Sequence, residues 1–265
     1  MRAALVALTL CLAGPGALHA QDEVPFVVTP DNVTLAMLEL ARVGPGDFVL
    51  DLGSGDGRIV IQAARRFGAR GLGVEISPDL VARSRRNAAT AGVAARARFV
   101  EQDLFKTDLS VATVITMYLL QEVNLQLRPA LLALQPGTRI VSHDWDLGDW
   151  RPDRSVTVDA PDKPVGLEKR SRLHLWVVPA RADGDWCGSG ANRDARLRLA
   201  QHYQVFDATL SVGRTAQLLA GRFDGARLRS AGGFEAVVDG ARLRITQNGD
   251  APPRLKGAEF GRCAA

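Results

Sequence analysis

Through the first two thirds of this 265-residue chain, short unbroken apolar runs alternate with stretches in which apolar residues recur every three or four positions. Phe48, Val49, Leu50 and Leu52 make one such run, the pattern of a strand buried on both faces, and Ile59, Val60, Ala63, Ala64 and Phe67 follow it at helical spacing. The same reading predicts further strands over residues 71–75, 97–100, 111–119, 138–142, 155–158 and 172–178. A first helix is expected where Thr29 as N-cap and Pro30 as first helical residue precede Val33, Ala36, Met37 and Leu40. Others are expected from Ser77 and Pro78 to a cap at Gly92, and over residues 121–134, where Pro129 kinks or restarts the helix. Strand and helix in alternation predict an α/β fold, a doubly wound parallel sheet with ligands at the carboxyl ends of its strands.

From Pro179 onward the pattern changes. Gly and Asp-Gly pairs separate short alternating runs, and a segment recurs with a period of 15: Asp224-Gly225-Ala226-Arg227-Leu228-Arg229, then Asp239-Gly240-Ala241-Arg242-Leu243-Arg244. Asp-Gly between alternating runs predicts hairpins whose two central residues both take positive φ. Residues 181–265 are therefore expected to form a small antiparallel β module, a sheet or partial barrel, after an α/β domain over residues 21–180. The module reads either as a structural appendage or as a substrate-docking element or lid. Residues 1–20 belong to neither: Arg2, the apolar run Ala3 to Ala13, the breakers Gly14, Pro15 and Gly16, and Ala17-Leu18-His19-Ala20 read as a secretory signal peptide cleaved after Ala20. The alternative is an uncleaved anchor, for which the apolar run is short. The chain is expected to be exported, periplasmic or secreted.

The chemistry concentrates in Asp51-Leu52-Gly53-Ser54-Gly55-Asp56-Gly57-Arg58, where an apolar strand stops at a carboxylate and a glycine-rich turn and becomes a helix. A dinucleotide turn has the spacing G-x-G-x-x-G and seats pyrophosphate on the helix N-terminus. Here glycines fall at every second position and Asp51 stands two residues before the first, a place where a carboxylate repels phosphate and suits a cofactor with a cationic end. Glu75 ends the next predicted strand 24 residues after Asp51, about where a doubly wound fold puts the carboxylate that binds ribose hydroxyls. Asp103, Leu104 and Phe105 follow the third strand.

At this turn the sequence resembles the class I S-adenosylmethionine-dependent methyltransferases, whose sheet is Rossmann-like. The resemblance implies S-adenosylmethionine as cofactor, with Asp51, Gly53, Ser54, Gly55, Gly57 and Glu75 holding it, Asp103 accepting from the adenine amine and Leu104 and Phe105 walling its ring. From Pro25 to about Pro152 the chain is similar to the protein-lysine methyltransferases of the kind that modify the ATP synthase c subunit and the adenine nucleotide translocase. The matching segments are PFVVTP (Pro25 to Pro30), LDLGSGDGRIV (Leu50 to Val60), GVEISPDLVARSR (Gly73 to Arg85), EQDLFKTDLS (Glu101 to Ser110) and VSHDWDLGDWRPD (Val141 to Asp153). The glycine turn alone also looks like that of the non-SET histone-lysine methyltransferases. A protein lysine is thus the implied acceptor, with Phe26 and Tyr118 lining its channel and Glu122 or Asp144 taking or orienting the amine proton. Two alternatives stay open: a small-molecule O- or N-methyltransferase, and an exported nucleoside-binding protein without turnover.

The formal net charge of +4 carries no basic stripe with interleaved aromatics, so no nucleic-acid partner is expected. Cys11 leaves with the leader, and Cys187 and Cys263 are an even pair read as a disulfide in an exported chain. His143, His174 and His202 are scattered and no His and Cys cluster has metal-ligand spacing, so no metal is expected.

Overall fold

The computed structural model describes residues 26–166, 168–251 and 255–263; the predicted leader lies outside them. The first part of the chain contains β1 (Phe48–Leu52), β2 (Arg70–Glu75), β3 (Ala97–Glu101), β4 (Val114–Met117), β5 (Arg139–His143), β6 (Arg154–Asp159) and β7 (Arg170–Val177). Its helices are α1 (Asp31–Leu40), α2 (Arg58–Phe67), α3 (Pro78–Thr90) and α4 (Gln121–Leu132). The strands form one sheet in the order β3-β2-β1-β4-β5-β7-β6. The first five pair in parallel, and β7 enters antiparallel between β5 and β6, so the sheet is mixed.

Alternation along the strands explains the two-faced burial. Val49, Val114, Val141 and Leu173 turn to one side, where α1 and α2 cover them with Val33, Met37, Leu38, Ile59 and Ala63. Leu50, Leu52, Ile115, Met117, Ile140 and Trp176 turn to the other, against Leu127 and Leu131 of α4 and the buried Trp150. α2 opens after Gly57 (φ 82°) and closes at Gly68 (φ 68°). In α3 Ser77 accepts from the Leu80 amide and Pro78 is the first helical residue.

Three local expectations are corrected. Pro30, not Thr29, is the N-cap of α1: its ψ of 149° keeps it extended, Asp31 begins the helix, and no side chain caps it. β4 is confined to Val114–Met117, because residues 109–111 close a short 3₁₀ turn capped by Asp108. α4 continues through Pro129 to Leu132 without restarting.

The remainder is more than a small module or a partial barrel. Strands β8 (Gly184–Gly188), β9 (Ala195–His202), β10 (Val205–Val212), β11 (Thr215–Asp224), β12 (Arg227–Ser230), β13 (Phe234–Asp239), β14 (Arg242–Asn248) and β15 (Glu259–Arg262) form a closed eight-stranded antiparallel barrel. β15 pairs with β8, which removes the open edges that a sheet would leave. The interior is filled by Trp186, Leu197, Phe206, Leu210, Phe223, Leu228, Phe234, Leu243, Ile245 and Phe260, alternating with outward polar residues. Cys187 on β8 is bridged to Cys263 just after β15, with Cα atoms 5.1 Å apart. The Asp-Gly turns are also corrected: Asp224 pairs with Arg227 and Asp239 with Arg242, so the central residues are Gly-Ala. Only Gly225 (φ 58°) and Gly240 (φ 54°) take positive φ, the pattern of a type II′ turn.

The β9–β10 hairpin places Tyr203 at the corresponding turn position, with φ 53°. This residue docks the barrel on the sheet domain: its hydroxyl donates to Asp149 at 3.0 Å and its ring stacks on Trp150 with centroids 6.0 Å apart. Gln204 donates to the Arg151 carbonyl at 2.6 Å, and Arg222 pairs with Asp153 at 2.9 Å. Among the described residues no helix is long and apolar enough to cross a membrane.

Candidate active site

The carboxyl ends of β1, β2 and β3 lie side by side and carry the three predicted carboxylates. Gly53 and Ser54 both donate their amides to the Val74 carbonyl at 2.9 Å, which ties the glycine turn to the end of β2. Glu75 completes the tie. Its Oε2 accepts from the Gly55 amide at 2.9 Å, and its Oε1 accepts from the Ile76 and Ser77 amides at 2.8 and 3.0 Å. At Gly55 (φ 54°) a Cβ would lie 2.1 Å from the Phe26 ring, so the missing side chain is what lets the segment before α1 cross the turn.

Asp51 is 2% exposed and receives the Thr116 hydroxyl at 2.7 Å. Burial first, and then the nearby Glu75 and Asp56 charges, raise its pKa to about 7 against the opposing Thr116 hydrogen bond. Ser54 Oγ is buried and has no hydrogen-bond partner among the described residues. Asp103 caps the 3₁₀ turn at Leu104–Lys106, accepting from the Phe105 amide at 2.9 Å, with Lys106 Nζ 3.5 Å away. Leu104 packs on the core while the Phe105 ring is half exposed. A buried carboxylate short of counter-charge, an orphaned hydroxyl, a turn without side chains and a second carboxylate held by amides fit a cofactor with a cationic amino-acid end and a ribose.

A second cluster lies beyond β4 and β5. The Tyr118 ring stacks on His143 at 3.9 Å. Asp144 follows at the end of β5 with φ 64°, unusual for a residue with a side chain. Its Oδ1 accepts from the Arg172 amide at 3.0 Å, and Lys163 Nζ lies 2.6 Å from its Oδ2. Burial, then the Asp144 charge and a hydrogen bond to it, push the Tyr118 phenol up to about 12. His143 is fully buried, with Nε2 2.8 Å from Ser171 Oγ and Nδ1 3.5 Å from Thr29 Oγ1. Burial lowers its pKa to about 4, with Asp144 opposing and Lys163 reinforcing, so the ring is neutral at pH 7.

The segment just before α1 joins the two clusters. Arg58 Nη1 donates to the Thr29 carbonyl at 2.8 Å, and its other nitrogens form a fork on Asp56 at 2.7 and 3.0 Å. Although burial raises the Asp56 carboxyl, the Arg58 fork holds it below the ordinary range.

Tyr118 and Asp144 are thus brought together, whereas Glu122 is not part of their cluster. It stands exposed in the first turn of α4, and among the described residues no hydrogen bond or ion pair links it to either. The sequence positions of Asp56, Arg58, Thr116, Lys163 and Ser171 do not single them out. The available signals were the Asp-x-Arg spacing inside the glycine turn and the polar Thr116 in an otherwise apolar strand.

Residues 51–154 match the model of a family described as the ANTKMT methyltransferase domain. The chain is 44% identical over 138 residues to a protein-lysine N-methyltransferase of Saccharolobus islandicus, covering 51% of this chain and 86% of that protein. It is 38% identical over 132 residues to the mouse adenine nucleotide translocase lysine N-methyltransferase, covering 49% of this chain and 57% of the mouse protein. The chain therefore spans little more than half the length of that mouse relative. Among solved structures, a Salinibacter ruber protein titled an RNA methyltransferase, in complex with S-adenosyl-L-homocysteine, is similar with a TM-score of 0.54 and 50% identity, covering 59% of this chain and 96% of that one.

Proposed function

The chain belongs to the ANTKMT methyltransferase family of S-adenosylmethionine-dependent methyltransferases, and from that membership we propose that it methylates the ε-amine of a lysine in a protein. The observation that carries the choice of acceptor is the likeness to the Saccharolobus islandicus protein-lysine N-methyltransferase, 44% identical and covered over 86% of its length. The acceptor-side rim, around the loops after β4 and β5, holds Glu122, Asp144, Asp146 and Asp149, of which Asp144 is paired with Lys163 and Asp149 with Arg128. The Salinibacter protein's title names RNA, and RNA is therefore the competing acceptor in the test below.

Asp51 is assigned to the cationic end of the cofactor, Gly53, Ser54, Gly55 and Gly57 to the turn that cradles it, and Glu75 to its ribose. Asp103, Leu104 and Phe105 are assigned to its adenine. When bound, S-adenosylmethionine supplies an electrophilic methyl group on a sulfonium. The chain then has to align the acceptor nitrogen with that group and exclude water, and alignment can lower the barrier by about 7–11 kcal/mol.

A free lysine amine has a pKa of about 10.4, so the site must also receive a proton. The Tyr118 phenol, pushed up to about 12 by burial and by the Asp144 charge, keeps its proton and leaves an oxygen lone pair to accept from the incoming amine and orient it. Asp144 is assigned the proton, directly or through water. Glu122 is left a role in attracting the substrate to the rim.

Export through the leader remains part of the proposal, and the Cys187–Cys263 bridge supports an oxidising compartment. The test of function is transfer from methyl-labelled S-adenosylmethionine to proteins, RNA and small metabolites offered separately. Label on lysine side chains supports the reading. Label on RNA or metabolites alone overturns the acceptor, and binding without transfer favours a nucleoside-binding protein.

A further inference from the structure

Resting on the lysine reading, we infer that Lys163 is a positioning residue of the acceptor site: its ammonium holds the Asp144 carboxylate, and through it the Tyr118 hydroxyl, in the pose that receives the substrate amine. Lys163 comes from the connection between β6 and β7, far along the chain from both partners, and its side chain is only 10% exposed. Its ammonium is ion-paired with Asp144 Oδ2 at 2.6 Å and donates to the Arg170 carbonyl at 2.7 Å. Its own carbonyl is held by Lys169 Nζ at 2.6 Å. An ammonium so placed is aimed by the fold and differs from a surface lysine that wanders among partners.

Asp144 needs such a partner. With φ 64° its backbone sits in a region that a residue with a Cβ rarely takes, and the Arg172 amide and carbonyl plus Lys163 are what hold it there. The carboxylate also lies 3.6 Å from His143 Nε2, which is neutral at pH 7 and supplies no charge to it. Lys163 is the cation in direct contact with Asp144, while Arg172 touches it through its backbone. Removing the ammonium frees the carboxylate to rotate out of the fork, and a displacement of about 1 Å at a reacting group can cost about a hundredfold in rate.

The test compares Lys163→Met, Lys163→Arg, Asp144→Asn and the Asp144→Asn/Lys163→Met pair with wild type. Label transfer to lysines of a whole-protein extract gives turnover, calorimetry gives S-adenosylmethionine affinity, and proton NMR follows the His143 ring against pH, with Thr29, Tyr118, Asp144, Lys163 and Ser171 around it. Lys163→Met is expected to lower turnover about 10- to 100-fold with cofactor affinity changed less than about twofold, and Lys163→Arg to recover part of the loss. The double variant removes both charges together, which guards against misfolding, and should be no slower than Asp144→Asn alone. The His143 pKa, about 4, should rise in Lys163→Met because a cation that lowers it is gone. Wild-type turnover in Lys163→Met overturns the inference, as do losses that follow cofactor affinity or that add in the double variant. A wild-type enzyme that labels no lysine at all overturns the lysine reading, and this inference with it.

Discussion

Thr116 donates its hydroxyl to Asp51 Oδ1 at 2.7 Å between two neighbouring strands whose register places the two residues side by side. Both are buried, and among the described residues no cation stands beside Asp51. The folded protein therefore keeps the Asp51 proton to about pH 7, while an ordinary aspartate releases it near 3.8. More protons are bound folded than unfolded between those values, so this group's contribution to stability is full below about pH 4 and is lost as pH rises to about 7.

Asp51→Asn keeps the Thr116 hydrogen bond and removes the charge. Its thermal midpoint without ligand should exceed that of wild type at pH 8 and converge with it below about pH 4. S-adenosylmethionine affinity should fall about 10- to 100-fold at pH 8, the worth of a hydrogen bond to a charged group. Parallel melting profiles across that pH range would remove Asp51 as an ionisable buried group.

Glu75 uses both oxygens on backbone amides, so Glu75→Gln must turn an NH2 toward either Gly55 or the Ile76 and Ser77 amides. The glycine turn should loosen, and S-adenosylmethionine binding should weaken by about 1.5–3 kcal/mol by calorimetry, roughly ten- to a hundredfold. Equal affinities would take Glu75 out of the site.

The chain has two tyrosines, which makes Tyr118 visible by ultraviolet titration in a Tyr203→Phe background. Its phenol, pushed up to about 12 by burial and by Asp144, should ionise lower in Asp144→Asn because a negative neighbour is gone. At the same time turnover should fall while cofactor affinity stays nearly constant. An unchanged titration would separate Tyr118 from Asp144.

What could be read from the sequence follows from how local each signal is. The glycine turn and the ends of β1, β2 and β3 are marked within a few residues of chain, because an apolar run ends at a carboxylate each time or just after. The acceptor cluster joins Thr29, Tyr118, His143, Asp144, Lys163 and Ser171 from five separate segments, and nothing near Lys163 marks it as a partner of Asp144. Tyr118 and Asp144 are legible as candidates because they stand at strand ends. Glu122 was drawn in by the same proximity, but the helix that carries it turns it to solvent. Closure of the barrel depends on β15 meeting β8 across the whole module, a long-range pairing that alternation cannot reveal and at which only the two cysteines hint.

The Cys187–Cys263 bridge fastens that same seam, joining residues 76 apart in the chain at the one pairing that closes the barrel. Chain-entropy reasoning for a loop of this length gives an upper value of about 4.5 kcal/mol, reduced by any residual structure in the unfolded chain. Replacing both cysteines by alanine should therefore lower barrel stability by up to that amount in a denaturant titration. The cofactor turn lies in the other domain, so S-adenosylmethionine affinity should be unchanged wherever the protein remains folded. Peptide mapping without reductant should recover Cys187 and Cys263 in one linked fragment from protein made in an oxidising compartment. Two free thiols in that protein would count against the bridge and against the proposed export together.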